Sequence, residues 1–122
     1  MAIDYVRLHH IQLCIPPRQE EAARDFYLKT LGFIEIEKPP SLKRNGGFWL
    51  KVADIDVHIG VETNGLPGKR HPAFQIRNIK KARLHLMEHN VAIQEETKID
   101  GYERFSFYDP FRNRIEFISP IK

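Results

Sequence analysis

Four side chains of the types that bind divalent metal ions stand at related positions along the chain: His10, His58, His71 and Glu116. Imidazole and carboxylate groups suit Mn²⁺, Fe²⁺, Co²⁺, Ni²⁺ or Zn²⁺, and they do not select among these ions. A set of two histidines and one carboxylate also leaves coordination positions open for water or substrate. We therefore expect one divalent metal ion to be the cofactor, bound where water or a substrate can reach it.

The elements that would position these residues recur in the same order in both halves of the sequence. Each half has a short alternating apolar segment, then a segment with apolar residues three and four apart, then three more alternating segments. In the first half we predict strands at 8–15, 33–37, 48–52 and 55–62, with a helix from Arg18 to Leu31. In the second half we predict strands at 71–76, 91–95, 102–108 and 114–119, with a helix from Asn78 to Asn90.

The two helix ends define the offset between the copies. The first helix is expected to end at Gly32 and the second at Asn90, 58 residues later, where Asn replaces Gly at a position that favours positive φ. The same offset of 58 residues aligns Glu116 with His58 in the last strands of the two copies. His10 and His71 fall in the first strands of their copies, so the four candidate ligands form two pairs related by the repeat.

This pattern predicts an α+β fold in which tandem βαβββ modules form a curved, mixed, eight-stranded half-barrel with helices on its outer face. The length of 122 residues suits a single domain. We place the modules at about 5–62 and 71–119. The linker is placed at 63–70, because Asn64-Gly65 and Pro67-Gly68 are typical of turns. A site enclosed by two such modules would use residues of both.

Composition excludes several classes of protein. The single cysteine, Cys14, rules out an intrachain disulfide and a paired-thiolate zinc site. The net charge of +3 is small, and no basic motif with interleaved aromatic residues is present, so nucleic acid is not an expected partner. No apolar run approaches the ~20 residues needed to cross a bilayer, and Met1–Asp4 carry no signal pattern. We expect a cytoplasmic protein that does not bind membranes.

Further candidates for the site come from the alternation of side chains along strands. Gln12 and Cys14 share the face of His10, and Gln12 is a candidate substrate contact. Arg104 and Tyr108 share a face in the 102–108 strand and are also candidate substrate contacts, Arg104 for an anionic group. An ordinary exposed strand arginine explains Arg104 equally well. Glu116 and a metal-bound water are alternative general bases.

Several short motifs together resemble the vicinal oxygen chelate superfamily, which includes glyoxalase I, bleomycin-resistance proteins, fosfomycin-resistance proteins and extradiol dioxygenases. They are His10-Ile11-Gln12-Leu13, Phe26-Tyr27 with Leu31-Gly32-Phe33, His71-Pro72-Ala73-Phe74, and Asp109-Pro110 with Asn113-Arg114-Ile115-Glu116. The resemblance covers nearly the whole chain. It implies metal ligation by His10, His71 and Glu116, and it leaves open whether His58, where relatives often carry Glu or Gln, is a fourth ligand. Arg112 departs from the family's turn, which has Gly there.

The resemblance implies two classes of function, and the residues themselves leave a third open. The first is a metal-dependent lyase, isomerase, transferase or ring-cleaving dioxygenase acting on a small oxygenated or thiol-conjugated substrate. The alternative is a metal-free protein that binds and sequesters a small molecule, as bleomycin-resistance proteins do. A partner-binding domain is the third, for which the basic helix 78–90 is the only indication. A homodimer is expected because short chains of this type commonly pair.

Overall fold

A computed structural model of the chain describes residues 2–65 and 68–121. The chain divides into two compact units, Met1–Asn64 and Gly65–Lys122. The strands and helices of the first unit are β1 His10–Ile15, α1 Glu20–Arg24 continued by a π-helical segment Asp25–Thr30, β2 Ile34–Ile36, a 3-10 helix Pro40–Asn45, β3 Phe48–Val52 and β4 Ile55–Val61. Those of the second unit are β5 Ala73–Gln75, α2 Ile79–Glu88, β6 Gln94–Glu95, β7 Tyr102–Tyr108 and β8 Arg114–Pro120.

The first unit contains a four-stranded mixed sheet in the order β1-β4-β3-β2. Strand β1 is parallel to β4, and the other neighbours are antiparallel. In this register Gln12 of β1 and Trp49 of β3 are the partners of His58 in β4. The sheet therefore places His58 in a central strand, with a neighbouring side chain on each side.

The second unit repeats this arrangement in the order β5-β8-β7-β6, again with one parallel pair, β5 with β8. Ala73 and Ser106 are the partners of Glu116. His71 precedes Ala73 by two residues, as His10 precedes Gln12, so each unit holds its candidate pair at the same relative register. The α+β class and the repeated strand order are confirmed, and the eight strands form two four-stranded sheets.

Each unit has its own apolar core on one face of its sheet. In the first unit the buried side chains of the helical segment are Ala23, Phe26 and Tyr27, and those of the central strands are Phe48, Leu50, Val57 and Ile59. In the second unit the core comprises Ile79 and Leu86 of α2 with Phe105, Phe107, Ile115 and Phe117 of β7 and β8. Alternation along these strands directs Glu116 and Ser106 to the opposite face of the sheet.

Several backbone predictions at helix ends and turns are confirmed. Gly32 and Asn90 both have positive φ, 77° and 62°, so Asn90 does occupy the position of Gly32 in the repeat. Asn78 caps α2 by accepting a hydrogen bond from the backbone N–H of Lys81. Arg112 has a φ of 73°, the left-handed conformation that glycine adopts most readily.

Several boundaries were wrong, and the largest error is at β6, which begins at Gln94 rather than at Val91. His71 lies before β5 rather than in it, since Pro72 has no N–H to continue a ladder of hydrogen bonds. The first helix begins at Glu20, because Arg18 has a φ of 65°. Strand β1 begins at His10, two residues later than expected. The predicted linker 63–70 contains residues 66 and 67, which lie outside the described residues.

Among the described residues, no helix has the length and apolar character needed to cross a bilayer. The longest regular α-helix in that part of the chain is α2, with 10 residues, and its exposed face carries charged side chains.

Candidate functional site

The second unit brings His71 and Glu116 into direct contact. The ring nitrogen Nε2 of His71 lies 3.2 Å from Oε1 of Glu116. Glu116 is only 4% exposed, whereas the histidine side chain is partly exposed. A buried carboxylate needs hydrogen-bond donors or a cation close by, because desolvation strongly disfavours an isolated charge. The pair is thus accessible from the histidine side and anchored in the sheet on the glutamate side.

The other nitrogen of the His71 ring determines what Nε2 can do. Nδ1 lies 2.8 Å from the backbone carbonyl oxygen of Lys69, which only accepts hydrogen bonds, so Nδ1 carries a proton. In a neutral ring, Nε2 then presents a lone pair towards the carboxylate of Glu116. Two lone pairs that face each other need a cation between them, either a proton or a metal ion. A histidine held by a carbonyl at its far nitrogen is also the usual arrangement of a metal ligand.

Arg104 is a second group in contact with Glu116, and its guanidinium is positively charged. Its Nη1 donates to the same oxygen, Oε1, at 3.1 Å, and its Nε and Nη2 donate to the carbonyl oxygen of Thr97 at 3.0 and 2.7 Å. The guanidinium of Arg104 is therefore held against Glu116 by the segment that precedes β7. The role of Arg104 as a substrate contact stays a prediction. The contact between Arg104 and Glu116 was not predicted from the sequence.

A second polar group lies on the same face of this sheet. Glu96 accepts hydrogen bonds from the hydroxyl of Ser106 and from Nη2 of Arg114, the latter at 2.7 Å. These contacts, that of Ser106 first and that of Arg114 next, lower the pKa of Glu96 below its ordinary value. The carboxylate of Glu96 is thus charged at neutral pH and holds Arg114 in place. Glu96 follows a two-residue strand without periodicity, so no pattern in the sequence indicated it.

In the first unit, the ring of His58 is stacked between two other rings. The centroid of His58 lies 3.9 Å from that of Trp49 and 4.1 Å from that of His10, with nearly parallel planes. His58 is buried, and its Nε2 has no hydrogen-bond partner among the described residues. Burial, and next the nearby His10, lower the pKa of His58. Its ring is therefore neutral near pH 7, which leaves a nitrogen available to bind a cation or a ligand.

The neighbours of His10 are polar and exposed. Nδ1 of His10 lies 3.0 Å from Nδ1 of His9, on the preceding residue. Gln12 is exposed and lies over Gly60, where an added Cβ would come within 2.5 Å of the amide nitrogen of Gln12. The amide of Gln12 also contacts the thiol of Cys14, and burial raises the pKa of that thiol. The raised pKa of Cys14 is the opposite of what an activated thiol nucleophile requires.

The predicted ligands are therefore found as two pairs, His10 with His58 in the first unit and His71 with Glu116 in the second. Within residues 2–65 and 68–121, no group of three or more His, Cys, Asp and Glu is arranged to hold a metal ion. Whether one ion engages both pairs stays a prediction. Tyr108, the remaining predicted contact, lines a cavity of the second unit with two arginines and a lysine.

The chemistry of the second pair fits a divalent metal ion. Bonds from a metal to nitrogen or oxygen are about 2.0–2.2 Å long, so adjacent ligand atoms lie about 3 Å apart. The 3.2 Å between Nε2 of His71 and Oε1 of Glu116 agrees with this spacing. Nε2 of His58 in the first unit, which has no hydrogen-bond partner among the described residues, is a second nitrogen of the right type. The residues present are therefore compatible with the metal that the family resemblance implies.

The fold and these pairs define the class of protein. The sequence matches the Glyoxalase/Bleomycin resistance protein/Dioxygenase superfamily over residues 7–117, and the chain belongs to that superfamily. A protein of Arabidopsis thaliana, Glyoxylase I 4, is 32% identical over 123 aligned residues, which cover 89% of this chain and 68% of that protein. The superfamily contains both enzymes and binding proteins, so membership alone does not assign an activity.

Solved structures show the same fold. A glyoxalase family protein of Bacillus anthracis is 39% identical, with a TM-score of 0.91 over 98% of this chain and 99% of that one. The fosfomycin resistance protein of Listeria monocytogenes is 19% identical, with a TM-score of 0.78 over 97% of this chain and 94% of that one. An antibiotic-binding protein of Streptomyces is 23% identical, with a TM-score of 0.72 over 99% of each chain. The last two likenesses concern the fold alone.

Proposed function

We propose that this protein is a divalent-metal-dependent enzyme of the superfamily, acting on a small oxygenated or thiol-conjugated molecule. The observation that carries the proposal is the arrangement of His71. Its Nδ1 is bound to a backbone carbonyl, and its Nε2 faces a buried carboxylate oxygen at 3.2 Å. We assign His71 and Glu116 as ligands and, from the family resemblance, His10 as well. His58 is assigned as a fourth candidate, because its buried Nε2 lacks a partner among the described residues.

The chain's own residues have distinct parts in such a reaction. When bound, the ion would act as a Lewis acid towards an oxygen of the substrate. Lys69 fixes the tautomer of His71 through its carbonyl oxygen. Arg104 and His71 both engage Oε1 of Glu116, and Oε2 accepts no hydrogen bond from the described residues. Oε2 is therefore the oxygen of Glu116 that is left to take a proton from a substrate.

Metal analysis of protein purified without added ions tests this proposal. We expect close to one equivalent of Mn²⁺, Fe²⁺, Co²⁺, Ni²⁺ or Zn²⁺, or saturable binding of one of them after treatment with a chelator. His85 and His89, at the C-terminal end of α2, are four residues apart with ring centroids 4.3 Å apart, a spacing that can chelate metal by itself. The titration is therefore repeated with His89→Ala. A protein that binds none of these ions would not be the enzyme proposed.

A metal-free binding protein is the second candidate, and one observation favours it. Arg104 already supplies a positive charge to Glu116, so the buried carboxylate has a cation without a metal. This candidate predicts that small-molecule binding persists in protein treated with a chelator. A screen of hemithioacetals, catechols and thiol conjugates, by thermal shift with and without Mn²⁺ or Ni²⁺, distinguishes the two candidates. Ligands that bind only with metal support the enzyme.

We also propose that the protein forms a homodimer. The segment before β1 carries four large apolar side chains that are 60–92% exposed: Ile3, Tyr5, Val6 and Leu8. Several large apolar side chains exposed in one short segment are typical of a surface that another chain covers. Light scattering at micromolar concentrations should give the mass of two chains, about twice 14.3 kDa. A monomeric mass throughout that range would contradict the proposal.

A further inference from the structure

The second unit contains an open cavity of about 570 Å³ with a strongly basic lining. The residues that line it are Gly68, Lys69, Tyr108, Arg112 and Arg114. Three of the five are cationic, one offers a phenol hydroxyl, and none is acidic. Cavities that bind small molecules usually measure about 300–1,000 Å³ and carry a few polar groups that fix the ligand's orientation. The basic lining of this open cavity suits the charged end of a small anionic molecule.

The positive charge of the cavity is only partly compensated. Within the described part of the chain, the side chains of Lys69 and Arg112 have no carboxylate at ion-pair distance. Arg114 donates from Nη2 to Glu96, which does not line the cavity, and its buried Nε has no hydrogen-bond partner among the described residues. Cations gathered in a concave site repel one another and focus a positive potential there. An anion in the cavity would relieve that repulsion.

The turn between β7 and β8 positions two of these cations. Tyr108 and Arg114 are cross-strand partners at its base. Asp109 closes the turn, since its side chain accepts from the backbone N–H of Asn113 and its carbonyl oxygen accepts from that of Arg112. Arg112 at the tip has a φ of 73°, a conformation that costs a residue with a Cβ free energy and that glycine would adopt without that cost. Because glycine would avoid this strain, the presence of arginine here indicates that its positive charge has a role in the cavity.

We propose that Lys69, Tyr108, Arg112 and Arg114 form a binding site for the phosphate or carboxylate group of a small molecule. Guanidinium groups bind both kinds of oxyanion through paired, charge-assisted hydrogen bonds. The cavity is much larger than one phosphate or carboxylate group. The ligand is therefore a molecule that carries such a group at one end. The carbonyl oxygen of Lys69 also binds the ring of His71, which connects this site to the candidate metal pair. The identification of this ligand as the enzyme's substrate rests on the proposed function. The existence of the anion site does not depend on that function.

Calorimetric titration of the chelator-treated full chain with inorganic phosphate, and separately with succinate, tests the site. We expect saturable binding of at least one probe at low ionic strength. Arg112→Gln and Lys69→Gln should each weaken it about tenfold or more, since each removes a charged hydrogen-bond donor. Arg77→Gln, which removes an exposed arginine outside the cavity, is the matched control and should leave binding unchanged. The probe that binds more tightly identifies the preferred anion.

Arg112→Gly separates loss of the charge from loss of the fold. It should weaken binding as Arg112→Gln does while raising the midpoint of urea denaturation, because glycine relaxes the left-handed backbone. Absence of saturable binding by both probes, or an equal loss in Arg77→Gln, would overturn the proposal. This test does not depend on a metal ion. If the chain binds phosphate here but binds no Mn²⁺, Ni²⁺ or Zn²⁺, the anion site stands and only the proposed enzymatic function is contradicted.

Discussion

Replacing His71 by alanine is expected to weaken the binding of Mn²⁺, Ni²⁺ and Zn²⁺ at least about 100-fold. The reason is the position of its ring, which is fixed by the carbonyl oxygen of Lys69 and directed at Oε1 of Glu116. Removing a group that only orients a metal ligand already costs about 10- to 100-fold in affinity, so loss of the ligand itself should cost more. Calorimetric titration of the chelator-treated protein measures the change directly.

Two other histidine variants show whether the loss at His71 is specific. His89→Ala removes an imidazole of the exposed pair on α2 and should leave the tight site unchanged. His58→Ala tests the number of ligands, since a loss equal to that of His71→Ala would mean that four residues bind the ion. If His71→Ala bound metal as tightly as the unmodified chain, the assignment of the metal pair would be wrong.

The positions of the two pairs within their units could be predicted from the sequence because they depend on periodicity. The alternation of apolar residues predicted the bounds of β3 and β7 correctly at both ends. The helix ends at Gly32 and Asn90 gave the offset that relates His58 to Glu116. Strand alternation then determines which face each side chain occupies. The register found in each unit agrees with that reasoning, with Gln12 opposite His58 and Ala73 opposite Glu116.

The contacts that tune the site could not be predicted in the same way. Arg104 reaches Glu116 because Thr97 holds its guanidinium, and Thr97 lies in an irregular segment whose path no period defines. Glu96 precedes Thr97 in the chain and could not be predicted for the same reason. One indication was present, since Arg114 shares a strand face with Glu116 and a partly buried arginine needs a counter-ion.

Replacing Arg104 by methionine should have opposite effects on stability and on metal affinity. The substitution keeps most of the side chain's volume and removes the cation at Oε1 of Glu116, which is 4% exposed. Breaking a buried ion pair on one side typically costs 3–5 kcal/mol, and because His71 still contacts the carboxylate we expect about 3 kcal/mol here. Urea denaturation of the chelator-treated protein at pH 7 measures this loss.

The same substitution should increase affinity for a metal ion. In the unmodified chain, a guanidinium bound to Oε1 of Glu116 repels any divalent cation at the same oxygen. Without that repulsion we expect Mn²⁺ or Zn²⁺ to bind about tenfold more tightly, or about 1.4 kcal/mol in free energy. Saturating metal should then restore much of the lost stability, because the ion replaces the missing charge.

A double-mutant cycle with Glu116→Gln separates charge from packing. If Arg104 acts by compensating the carboxylate, the variant carrying both Arg104→Met and Glu116→Gln should be at least about 1 kcal/mol more stable than the sum of the single effects predicts. If Arg104 serves only to hold the segment around Thr97, the two effects should add, and metal should not rescue Arg104→Met. Additivity together with unchanged metal affinity would mean that Glu116 does not depend on a cation, which removes the physical basis for placing a metal there.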